Sequence, residues 1–138
     1  MADIPVYLEV GNKRVFAGAI EWPGWCRSGR HEAAALSALA ETAPRYARVL
    51  QAAGIAFEPP PGPGALAVAE RLEGNTTTDF GAPDMPPAAD ARPLDAAELQ
   101  RQQDVLKAIW QTLDAAAAAA RGRELSTGPR GGGRDLEK

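Results

Sequence analysis

The sequence predicts an α+β fold: a small antiparallel sheet with one packed helix, then a loop-rich linker, then one long C-terminal helix with a flexible tail. Three observations carry this. Residues 6 to 22 alternate apolar and other side chains around a short turn, the two-residue period of strands. From Glu32 the apolar spacing becomes three, four and seven, the period of an amphipathic helix. A second helical pattern begins at Asp95, after some twenty residues rich in Gly, Thr, Asp and Pro. The expected organisation is an α+β unit over 1–73, a linker or surface loop over 74–94, a helix over 95–122 and a tail over 123–138.

In the first unit Val6, Leu8 and Val10 alternate with Tyr7 and Glu9, the turn Gly11-Asn12-Lys13-Arg14 follows, and a second alternating run goes from Val15 to Trp22. Two strands in a hairpin is the expectation. In the second run Phe16, Gly18, Ile20 and Trp22 share one face, and that bulkier face is expected to meet the helix. The stretch Trp22-Pro23-Gly24-Trp25-Cys26-Arg27-Ser28-Gly29 reads as the bend between sheet and helix. Proline removes a ladder donor, glycine tolerates positive φ, and the indoles offer large apolar surfaces to anchor a core.

Leu36, Leu39, Ala43, Tyr46, Ala47 and Leu50 lie on one side of the first helix. Pro44 either kinks this helix or opens a second one capped by Thr42, a kink or short break being favoured. Gly54 supplies the stop. Ile55-Ala56-Phe57 reads as a short strand, and Glu58 to Gly64 is a stiff Pro/Gly connector. Leu66 to Glu73 fits either a strand or a helical turn, with strand preferred. In the second helix Asp95 stands three residues before Glu98, a variant capping box, and Leu99, Leu106, Leu113 and Ala120 recur at sevens beside Ile109 and Trp110. From Asp95 to Ala120 it extends roughly 39 Å at ~1.5 Å per residue, longer than a small domain is wide, so part of it overhangs. The run Ala115 to Ala120 favours helix while burying little, which suits close approach to another helix. Asp135-Leu136-Glu137-Lys138 reads like the first turn of a further helix.

Composition narrows the function classes. The chain has 138 residues, 45% hydrophobic but rich in alanine, with Pro 12 and Gly 14, so a modest core is expected. A net charge of −3 disfavours non-specific binding to nucleic acid. Arginine outnumbers lysine, a bias common in high-GC genomes and weak as a sign of recognition. Cys26 is the single cysteine, which rules out an internal disulfide and multi-thiolate metal sites and fits a reducing cytoplasm. Neither a secretory leader nor an apolar run of membrane-spanning length is recognisable, so a cytoplasmic chain is expected.

No catalytic, metal or cofactor constellation is visible, and a non-enzymatic protein without cofactor is expected. Cys26 and His31 are the only soft or borderline ligands, too few for a metal site. Their simpler roles are a small buried filler and an exposed first-turn residue. Thr78-Asp79-Phe80-Gly81 contains a kinase-like triplet without the rest of a kinase. The expectation there is a turn in which Asp79 bonds nearby backbone while Phe80 pins the loop to the core. Gly128 to Gly133 lacks the lysine and the strand of a phosphate loop. Candidate partner-binding residues are Trp25 with Arg27, Arg30, Arg45 and Arg48, a local cationic patch if they gather, and Leu99, Leu106, Trp110 and Leu113 on the long helix. For the arginines, a solvated helix face paired with Glu32 and Glu41 is the simpler expectation.

Val15 to Ile20, Pro23, Gly24, Gly29, Ala35 and Leu36 make a hairpin, a Pro-Gly turn and a helix start that resembles the HicB-like antitoxin domain over about residues 5–57. The resemblance implies a small partial ribonuclease-H-like sheet with a packed helix, non-catalytic, binding a protein toxin. This chain has Arg30-His31-Glu32 where that family has a Thr and an acidic cap, and a single Pro-Gly turn, and no DNA-binding helix pair is expected after the domain. The long helix, Arg123-Glu124-Leu125, a Gly/Pro/Arg loop and Arg134-Asp135-Leu136 are similar to the start of a DinB-like bundle. That likeness implies the N-terminal portion of a truncated metal-dependent enzyme whose histidine ligands sit on later helices. The function expected is a cytoplasmic protein-binding module, its partner another protein or a second copy. The alternatives are a DinB-like fragment and an antitoxin-like regulator.

Overall fold

The computed structural model describes residues 3–126. Three strands follow one another, β1 (Ile4–Val10), β2 (Val15–Ala19) and β3 (Cys26–Gly29). They lead into α1 (Glu32–Ala52), β4 (Leu66–Glu73), the short α2 (Thr76–Phe80) and α3 (Ala96–Ala119). The α+β class and the long C-terminal helix stand as expected. The sheet order is β3-β2-β1-β4, and β1 is antiparallel to β2 but parallel to β4, so the sheet is mixed rather than wholly antiparallel. The reason is α1. It carries the chain across β2 and β1 and returns it to the end where β1 and β3 begin, which forces β4 to run in their direction.

Leu66–Glu73 is a strand, and the β1–β2 hairpin pairs Val10 with Val15. Other local expectations are corrected. β2 stops at Ala19, and Trp22 lies in the turn beyond it. Ile55 to Phe57 forms no strand, although Ile55 and Phe57 pack against the core. α1 continues as one helix through Pro44, so no second helix opens at Thr42. That proline withholds a donor from Ala40, while the turn before it is tied down from outside: Trp25 Nε1 donates to the Leu39 carbonyl at 3.0 Å and to Thr42 Oγ1 at 3.1 Å.

It is the small face of β2 that meets α1. Val15, Ala17 and Ala19 share the core with Val6 and Leu8 and with Ala35, Leu39, Ala40 and Ala43 of the helix. Alanine on both sides lets the backbones approach closely, and the longer Leu39, Leu50 and Trp25 complete the same core. Gly29 shows how close the approach is, because a Cβ there would stand 2.6 Å from Ala35 N. At the bend, Gly24 sits at φ +85°, where a side chain would be strained.

The bend is sealed by four rings. Trp25 is 3% exposed and stacks on Tyr46 at 5.7 Å between centroids, and Phe57 stands edge-on to Trp25 and Trp22 at 5.5 and 4.8 Å. The Tyr46 hydroxyl donates to the Pro23 carbonyl at 2.6 Å, so helix and turn hold each other through both apolar and polar contacts.

The opposite face of the sheet is covered by the segment expected to be a linker. Glu9, fully buried, accepts from Thr78 Oγ1 at 2.6 Å, from Asp84 N at 3.0 Å and from Met85 N at 2.7 Å. Glu70 accepts from Ala88 N at 2.8 Å. Asp79 binds backbone as expected, but 66 residues away, taking the Lys13 N–H at 2.7 Å and that of Arg14 at 3.2 Å in the hairpin turn. Phe80 does not enter the core, being 69% exposed; Thr78 is the buried residue of α2. The proline-rich strap thus satisfies its few donors on strand carboxyls instead of a ladder. The expected further helix turn at 135–138 lies outside the described residues.

Two outcomes follow. Trp25→Phe keeps an aromatic ring, though a smaller one, and removes the indole donor, and urea unfolding is expected to show a loss of about 1–2 kcal/mol, against about 3–5 kcal/mol for Trp25→Ala. The Lys13, Asn12 and Arg14 amides hold the Asp79 carboxyl below its ordinary value. Its contribution is therefore complete above the unfolded-chain value near ~3.9 and is lost as pH falls through the lower folded value. Asp79→Asn should lose stability at neutral pH and show a shallower fall on acidification, measured by denaturant midpoints across pH.

Candidate functional site

Helix α3 is capped at Asp95, whose side chain accepts from Glu98 N at 2.8 Å. Its contact with the body is narrow. Val105 and Ala108 are buried, and Ile109 lies against Gly24. The Arg101 guanidinium sits 4.8 Å over the Trp22 ring and donates through Nη2 to the Glu21 carbonyl at 2.8 Å. At 100° per residue, Arg101, Val105 and Ala108 span an arc of about 60°.

Leu99, Leu106, Trp110 and Leu113 occupy another arc of about 60°, roughly 140° round from the buried one. They are correspondingly open, at 48%, 46%, 59% and 64% exposure. No charged residue falls inside this stripe, and Lys107 and Asp114 flank it on one side. Beyond Ile109 the helix is almost wholly exposed, the overhang its length implied. An isolated exposed leucine is ordinary, but four large apolar groups in one row on a rigid helix form a patch of the kind that binds.

The remaining candidates do not join it. Trp25 is core, and its indole N–H is spent on α1, so it is removed from the partner-binding set. Arg27, Arg30, Arg45 and Arg48 are all exposed. Arg45 lies 13 residues beyond the helix start, about 20 Å along the axis, and no contact gathers the four. Glu32 pairs with Arg71 at 2.8 Å rather than with these arginines; both partners are well exposed, so the pair adds little.

Two recesses were not legible in the sequence. One of about 250 Å³ is lined by Tyr7, Gly18, Cys26, Asp90 and Gln102 among others, and it adjoins a cleft of about 630 Å³ between Glu21 and the start of α3. Tyr7 and Cys26 line this recess together, and burial pushes both the phenol and the thiol above their ordinary values. A thiol so held is a poor nucleophile at neutral pH. The larger cleft mixes Glu21, Asp90 and Glu98 with Arg92 and Arg101, so it presents no single charge to a ligand. His31 is the N-cap of α1, its Nδ1 accepting from Ala34 N at 3.1 Å. It stands where the sequence shows neither a Thr nor an acidic cap. Among the described residues no three His, Cys, Asp or Glu side chains group as metal ligands, and no helix is long and apolar enough to cross a membrane.

The raised Cys26 thiol has a kinetic signature. Its alkylation rate, followed by mass spectrometry, should be slow at neutral pH and keep rising beyond pH ~8.5, where an ordinary cysteine levels off. A plateau at or below that value would contradict the assignment.

Comparison with protein-family models, curated proteins and solved structures gives no match to this chain.

Proposed function

We propose that this chain is a non-enzymatic protein-binding module whose docking element is the outer face of α3. The observation that carries this is the uncharged row Leu99, Leu106, Trp110 and Leu113, held open on a helix that the body grips from the other side. Helix-in-groove and helix-on-helix recognition use such anchors at spacings of three, four and seven. The sheet and α1 serve as the rigid mount. A cytoplasmic location and a protein partner belong to the same proposal.

A HicB-like identity is the second reading. It is supported by the hairpin, the Pro-Gly bend and the single helix laid across a small sheet, and it makes the partner class a small protein toxin. A complex formed on co-expression with the product of an adjoining toxin-like gene supports it, and separate elution of the two proteins counts against it.

The test of the docking face is L99Q/L106Q/W110Q/L113Q. Because these side chains are open, the variant should keep the near-ultraviolet dichroism of buried Trp25 and lose most of the wild-type binding of an apolar dye. A variant that unfolds would show the row to be core. Dye binding equal to wild type would remove α3 as the docking face.

A further inference from the structure

Resting on that docking face, we infer that its occupant is a second copy of this chain, laid antiparallel across α3 with a two-fold axis at Trp110. The first ground is charge placement. Lys107 and Asp114 stand on the same flank of the stripe, about 80° round from its centre, the location of e and g residues beside a coiled-coil seam. Both are exposed, and neither forms an ion pair among the described residues. Seven residues apart, they are separated by about 10 Å along the axis and cannot satisfy each other.

A two-fold axis perpendicular to paired helices brings each flank against the same flank of the other copy. Centred on residue 110, it sets Lys107 beside the partner's Asp114 and Asp114 beside the partner's Lys107. The same register stacks Leu106 on the partner's Leu113, within one residue, and puts the two Trp110 rings side by side. Leu99 then falls within one residue of Ala120 of the partner subunit, whose small side chain admits a close approach.

Competing arrangements lack this agreement. An antiparallel pair centred on Leu106 matches Leu99 with the partner's Leu113 but sets Lys107 against the partner's Lys107. A parallel pair turns the Lys107/Asp114 flank towards the other flank, whose acidic residue, Glu98, lies about 13 Å from Lys107 along the axis.

The size of the patch sets the strength of the pair. Four large side chains about half exposed offer roughly 400 Å² per copy, which places the dimer among small, reversible interfaces. Dissociation is therefore expected within the concentration range of sedimentation experiments.

Sedimentation equilibrium of the full chain over a concentration series is the first measurement, and a concentration-dependent dimer is expected. K107D and D114K should each weaken it roughly tenfold, since each creates two like-charge contacts. The double variant K107D/D114K should recover to within about twofold of wild type. In a C26A background, W110C should form a disulfide with itself and L106C should form one with L113C, while L106C alone stays reduced. A double variant as weak as the singles, or L106C that crosslinks to itself, would overturn the register. A chain that binds the apolar dye through α3 yet remains monomeric throughout would overturn self-pairing while leaving the docking face in place.

Discussion

A sheet has two faces, and in this protein both must be closed because the central strand buries consecutive residues. Leu8 and Glu9 point to opposite sides of β1, and both are fully buried. One side is closed by apolar packing under α1 and the other by hydrogen bonds to the 74–93 strap. The two solutions differ in kind. Alanines of β2 and α1 close the first by bringing backbones together, whereas Glu9 and Glu70 close the second by collecting amides that have no ladder to join. Trp25 then fixes the angle between sheet and helix, since its ring is core and its N–H is committed to the Leu39 carbonyl.

The periodicity of residues 6–20 and 32–50 was enough to place the hairpin and α1, because both elements bury one side against the other. The parallel partner of β1 was not legible. Leu66 to Glu73 shows a strand pattern, but which strand it joins depends on where a 21-residue helix delivers the chain. The face of β2 that meets α1 was misjudged because bulk was weighed above fit, and alanine, poor in area, wins where backbones must approach. Proline content concealed the strap. Apart from the Thr78 hydroxyl its anchoring donors are main-chain amides, and these announce no acceptor 75 residues earlier.

For the candidate site, the row at 99, 106 and 113 was legible as spacing, while its exposure was not. Period alone cannot say which side of a helix the body takes. Here Val105 and Ala108, not the leucines, face inward, and Arg101 uses the Trp22 ring as its seat. The arginines of β3 and α1 illustrate the converse. Sequence proximity grouped them, but strand direction and helix rise separate them. Trp25 looked like a binding residue for the reason that makes it a core residue, a large ring with one donor to place.

The way Glu9 and Glu70 hold the strap has a consequence for how the sequence can change. An amide N–H is the same beneath every side chain except proline, so Met85 and Ala88 anchor the strap without committing their identities. Substitution can therefore roam at those positions, whereas Thr78 and Asp79 hold the strap through their own side chains. At Met85 and Ala88 the burden of specificity rests instead on two acidic residues, Glu9 and Glu70, far upstream in the strands.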